Sequence, residues 1–160
     1  MSNENRLIFI HGLASSGQGY KGTLLRRLFP NILTPDFTGL LEERLAQLDP
    51  ILTGKSNWVI IGSSFGGLMG ALFACQHPQQ VKKLILLAPA LIFPDFAANP
   101  PDPISVPTVI YHGRHDSIVP VEPVRTLAEQ TFLNLTFRLV DDDHRLHQTV
   151  QVVDWPALVG

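Results

Sequence analysis

An α/β fold, a three-layer sandwich with a mainly parallel sheet of about six strands and helices on both faces, is predicted by two periodicities and by their alternation along the chain. Apolar runs without polar alternation at residues 7–10, 31–34, 58–61, 84–88, 108–111 and 135–140 are the pattern of strands buried on both faces. Between and after them, apolar residues recur every three or four positions. The sets are Leu24, Leu25, Leu28 and Phe29; Leu41, Leu45 and Leu48; Leu68, Leu72 and Phe73; Val124, Leu127 and Ala128; and Leu146, Val150 and Val153. Each set falls on one helix face. Strand and helix in alternation imply parallel strands, with ligands bound at their carboxyl ends.

The 160 residues suit one domain, spanning 1–160. Charged residues make up only 16% of the chain, too few for a long solvated tail. Twelve basic against fourteen acidic residues give a net charge of -2 without a basic run, which argues against nucleic acid as a partner. The one cysteine, Cys75, can form neither an internal disulfide nor a multi-thiolate metal site, and no cofactor or metal is expected. The longest apolar run, 84–93, is too short to span a bilayer, and the polar start at 1–6 lacks a secretory core. These features predict a cytoplasmic location without membrane contact. Five of the thirteen prolines lie between 94 and 107, which makes that segment a loop.

Chemistry enters after the run at 58–61. Gly62-Ser63-Ser64-Phe65-Gly66 has the pattern G-x-S-x-G between a strand and a helical stretch, with Ser64 at the exposed tip of the turn. So sharp a turn needs neighbours without Cβ atoms, and the helix behind it directs free N–H groups at a nearby oxyanion. Ser15 and Ser16 lack flanking glycines and are expected to be loop hydroxyls.

A serine hydroxyl becomes a nucleophile when a histidine takes its proton and an acid fixes that histidine's tautomer. Asp116 follows the run at 108–111, and His144 follows the run at 135–140. The order Ser64, Asp116, His144 is the one associated with this turn type. His147 is the rival base, and Asp95 and Asp102 are rival acids. His11 and His112 end strands and are expected to organise backbone, while His115 stands too close to Asp116 in sequence to face it. The first run ends in His11-Gly12-Leu13, so the N–H groups of Leu13 and Phe65 are the candidate oxyanion donors. Gly17-Gln18-Gly19-Tyr20-Lys21-Gly22 mimics a dinucleotide fingerprint, but residues 11–16 separate it from the strand it should follow. A phosphate loop fails as well, because Gln18 stands where lysine is needed.

On these residues the chain resembles the small α/β-hydrolases: His11-Gly12 after the first strand, the elbow at 62–66, then Asp116 and His144. The resemblance implies hydrolysis of a small-molecule carboxylic ester, or of a thioester, through an acyl-enzyme on Ser64. It also implies two departures. The two strands that commonly precede the His-Gly loop are missing, and the loop at 89–107 is too short for a cap domain. An uncapped site would be lined by Leu91, Ile92, Phe93 and Phe96, unless those side chains are core. The competing expectation is a hydrolase-like fold that binds a partner with little or no turnover.

Overall fold

The computed structural model describes residues 4–160. Five parallel strands form one sheet in sequential order: β1 (Arg6–Ile10), β2 (Trp58–Ser63), β3 (Val81–Leu87), β4 (Thr108–Gly113) and β5 (Leu135–Val140). Neighbours pair in register, Ile8 with Ile60, Ile60 with Leu84, Leu84 with Thr108 and Thr108 with Leu135.

Side chains that alternate along a strand point to opposite faces, and the core divides accordingly. Ile8, Ile10, Trp58, Ile60, Leu84, Leu86 and Ile110 face one layer. That layer holds α2 (Leu41–Leu52), α3 (Phe65–Gln76) and α5 (Val121–Thr131), which contribute Leu48, Leu68 and Val124. Phe9, Val59, Ile61, Ile85 and Leu87 face the other, where α1 (Tyr20–Leu28), α6 (His147–Val152) and α7 (Trp155–Val159) supply Leu25, Val150 and Trp155. The sandwich expected from the periodicities is the one observed.

The strand number is five because residues 31–34, expected as a strand, make only an isolated parallel bridge, Ile8 with Leu33, on the free edge of β1. Phe9 N–H donates to the Leu33 carbonyl and Leu33 N–H to that of Leu7, and pairing stops there. Pro30 and Pro35 bracket the segment, and proline supplies no ladder donor. The prolines at 94–107 sit in a connection whose one helix is α4 (Pro94–Ala97), four residues long. Strand β5, at a sheet edge, has only half-buried and exposed positions, unlike the fully buried β2. Among the described residues no helix is long and apolar enough to cross a membrane.

The C-terminal segment depends on two anchors. Trp155 is 2% exposed, packs in the second layer and donates its indole N–H to the Val150 carbonyl. Asp142 accepts from the N–H and hydroxyl of Thr149 in α6. Burial works to raise the Asp142 pKa, but hydrogen bonds from Thr149, Asp143 and Gln148 together hold the carboxyl below its usual range.

Trp155→Ala should lower the free energy of unfolding by about 3–5 kcal/mol in a denaturant titration, while Val152→Ala, at an exposed position, should change it by less than about 0.5 kcal/mol. Equal losses in the two variants would show that the tryptophan is not a packing anchor. Asp142→Ala should cost about 1 kcal/mol at neutral pH. The folded carboxyl titrates below the unfolded one, so its contribution is present above about pH 3.9 and disappears as pH falls through the folded value. Wild-type and variant stabilities should therefore converge in acid; a gap that stays constant would refute the assignment.

Candidate active site

Ser64 joins β2 to α3 with φ at 55° and ψ at -114°, a left-handed conformation that a non-glycine residue adopts at a cost. A Cβ on Gly62 would strike the carbonyl of Gly66, and one on Gly66 would strike that of Ile10, so larger residues would force the turn open. Hydrogen bonds hold the geometry. Ser64 N–H donates to the Leu87 carbonyl at 2.8 Å, and Ser64 O accepts from Gly67, Leu68 and Ala90. The last of these ties the connection after β3 to the elbow.

Ser64 Oγ lies 3.0 Å from His144 Nε2, and His144 Nδ1 lies 2.7 Å from Asp116 Oδ2. A carboxylate accepts, so Nδ1 carries the hydrogen and Nε2 turns its lone pair to the serine hydroxyl. The Asp116 side chain has no exposed surface and that of His144 has 19%. Oδ1 of Asp116 takes the N–H groups of Ile118 and Val119, both at 2.8 Å. His144 reaches this acid because the chain after β5 folds over β4. His115 N–H donates to the Asp142 carbonyl, and a Cβ on Gly113 would collide with the carbonyls of Asp142 and Asp143.

The loop after β1 closes the other side. The site where Gly12 would carry a Cβ is 3.4 Å from Ser64 Cβ and 4.0 Å from Phe65 N. His11, 1% exposed, accepts Phe37 N–H at Nε2 and therefore donates from Nδ1 to the Gly12 carbonyl at 2.7 Å. In a trans peptide the carbonyl and the following N–H point in opposite directions, so this bond fixes the aim of Leu13 N–H. Neither Leu13 N–H nor Phe65 N–H has an acceptor among the described residues. The Leu13 side chain is 53% exposed.

The rival candidates lie elsewhere. His147 stacks on Tyr20 with ring centroids 4.2 Å apart, and His115 makes an exposed pair with Asp141. Ser16 Oγ accepts from Gln18 N–H, as a loop hydroxyl does. Gly17 N–H, which a dinucleotide pyrophosphate would require, is occupied by Asp36. Of the four side chains expected to line the acyl site, Leu91 and Phe96 have no exposed surface and pack in the first core layer, which corrects that expectation. The backbone after Pro89 turns inward and α4 points Phe96 at Phe132. Ile92 and Phe93 remain more than one-third exposed, and the Phe93 and Phe65 rings pack in a T-shape with centroids 5.2 Å apart.

Two contacts at the site escaped the sequence reading. Arg44 is buried in α2 with its guanidinium 5.5 Å from the Phe65 ring centroid, and Nε donates to the Gly39 carbonyl. Only its lone cationic position in an apolar helix face could have marked it. His112 lies 3.3 Å from Asp116, a contact its spacing of four residues could have suggested. No cluster of three or more His, Cys, Asp or Glu side chains among the described residues could hold a metal ion.

The α/β-hydrolase fold family model matches residues 51–105, which include the elbow. A rice protein (Oryza sativa subsp. japonica) named as a probable 1-acylglycerol-3-phosphate O-acyltransferase is 51% identical over 35 residues; the match covers 22% of this chain and 8% of that protein. The chain thus spans a small fraction of that curated relative's length. A protein from Xanthomonas campestris pv. campestris whose name assigns it to the α/β hydrolase superfamily superimposes with a TM-score of 0.76 at 29% identity, over 92% of this chain and 91% of that one. The monoacylglycerol lipase of Paleococcus ferrophilus gives 0.70 at 16% identity, over 96% and 94%. With a five-stranded parallel sheet and an elbow after its second strand, matched over nearly its whole length by such structures, this chain has the α/β-hydrolase fold.

Proposed function

We propose that residues 1–160 form one hydrolase domain that cleaves a small carboxylic ester, or a thioester, through an acyl-enzyme on Ser64. The observation that carries the reading is the continuous relay from the Ser64 hydroxyl through the His144 imidazole to the buried Asp116 carboxylate. The α/β-hydrolase fold of the chain supports it, and so does a structural neighbour named as a monoacylglycerol lipase.

In this reaction Ser64 Oγ bonds to the acyl carbon while its proton moves to His144 Nε2. The carbonyl electron pair moves onto oxygen, where the Leu13 and Phe65 N–H groups receive it, aided by the N-terminal end of α3. Collapse breaks the bond to the alcohol or thiol, which leaves with the proton from His144. Water then repeats the sequence on the acyl-enzyme and releases the acid. Asp116 stays ionised and holds the imidazole tautomer. The exposed Ile92 and Phe93 are the apolar surface available to the acyl group.

Ser64→Ala should reduce turnover of p-nitrophenyl acetate by roughly 10⁴-fold or more and abolish labelling by a fluorophosphonate. A variant that retains near-full turnover would exclude Ser64, and an unlabelled, inactive wild type would favour a binding module on the same fold. The rate should also rise with pH within the range of about 5 to 8 where imidazoles lose their protons, because only the neutral ring accepts the serine proton. A flat profile across that range contradicts a histidine base. A series of p-nitrophenyl esters of increasing chain length beside acyl-CoA substrates distinguishes oxygen esters from thioesters.

A further inference from the structure

His112 is fully buried at the end of β4 and touches the proposed acid, yet it has no part in the reaction just described. Its Nε2 lies 2.9 Å from the Val119 carbonyl oxygen and 3.3 Å from Asp116 Oδ2. A carbonyl only accepts, so Nε2 carries the hydrogen. Nδ1 is buried without a partner among the described residues, and a proton there would have no acceptor. The ring is therefore held neutral. Burial pushes its pKa below the ordinary imidazole value, against the Val119 carbonyl and the Asp116 charge, which both favour the charged form.

The Asp116 carboxylate holds the turn at 116–119 through the N–H groups of Ile118 and Val119. His112 grips the same turn from the other side through the Val119 carbonyl. Ile118 at its crown is 67% exposed and adds no packing above, whereas Val119 is buried in the first core layer, so these bonds act together with the Val119 side chain to keep the turn closed. If it opened, the carboxylate would lose both bonds to Oδ1 and become free to rotate away from His144.

We propose that His112 is a positioning residue: by clasping Val119 and setting its N–H edge beside Oδ2, it locks the Asp116 carboxylate in the orientation that reaches His144 Nδ1. The proposal rests on the hydrolase reading of the Ser64 relay.

Three substitutions test it, with p-nitrophenyl acetate kinetics, fluorophosphonate labelling rates and thermal melts on the full chain. His112→Gln keeps an N–H near the Nε2 position; His112→Asn is too short to reach Val119, and His112→Leu has no donor. The Asn and Leu variants should lose roughly 10- to 100-fold in kcat and in labelling rate, the loss expected when one buried hydrogen bond, here to the Val119 carbonyl, is removed and its acceptor left unpaired, with KM within about twofold. The Gln variant should recover kcat to within about threefold. Folded Asn or Leu variants with wild-type kcat overturn the proposal, as does a Gln variant that melts like wild type but is as slow as Leu. If Asn and Leu do not fold, the Gln variant decides alone by the same criterion. An inactive, unlabelled wild type instead defeats the hydrolase reading, while a labelled wild type with unaffected His112 variants defeats this inference only.

Discussion

The left-handed backbone at Ser64 is the constraint on which the rest of the site depends. A non-glycine residue at φ 55° costs on the order of 1–3 kcal/mol and persists only where its surroundings leave no alternative. Here Gly62 and Gly66 allow strand, turn and helix to crowd together, and bonds from Ser64 to β3 and α3 keep the turn shut. The same bonds organise what lies around it. Ala90 N–H on the Ser64 carbonyl fixes where the connection after β3 begins, and Gly12 against Ser64 Cβ fixes the loop after β1. Relaxing the elbow would therefore move the proposed nucleophile and both proposed oxyanion donors together.

Sheet order explains why the proposed base arrives on a loop. Ser64 leaves β2 and Asp116 leaves β4, with β3 between them, while His144 follows β5 at the far edge. The imidazole spans this distance because residues 141–146 fold back across Gly113, where the absence of a Cβ admits the carbonyls of Asp142 and Asp143. Asp142 anchors the return by holding Thr149, and Leu146, fully buried in a left-handed conformation, turns the chain into α6.

The layers and the elbow were legible in the sequence because each rests on a local rule: short continuous apolar runs against a period of three to four, and glycines flanking a serine. Proline placement carried the loop at 89–107. What the sequence could not supply was direction. Leu91 and Phe96 were as apolar as Ile92 and Phe93, and only the turn after Pro89 decides that the first pair enters the core while the second stays outside. Residues 31–34 had the composition of a strand, but Pro30 and Pro35 on either side supply no ladder donor, and pairing is limited to one bridge. The run at 135–140 was read as doubly buried, although a sheet edge leaves Arg138 and Leu139 exposed. His112 was recognised as a strand-end group, but its contact with Asp116 depends on a turn that closes only in three dimensions.

The neutrality of His112 has a chemical logic of its own. Asp116 is excluded from water, so its charge must be met by donors, and it finds two backbone N–H groups and His144. A lysine or arginine in place of His112 would satisfy the carboxylate more strongly, but as a permanent counter-ion it would compete for the charge that His144 would need in the proposed transfer of the serine proton. A neutral N–H edge supplies a dipole without a net charge. The negative charge of Asp116 then stays available to the one imidazole that can become cationic beside it, and the second ring at 112, buried with no acceptor for another proton, does not share that role.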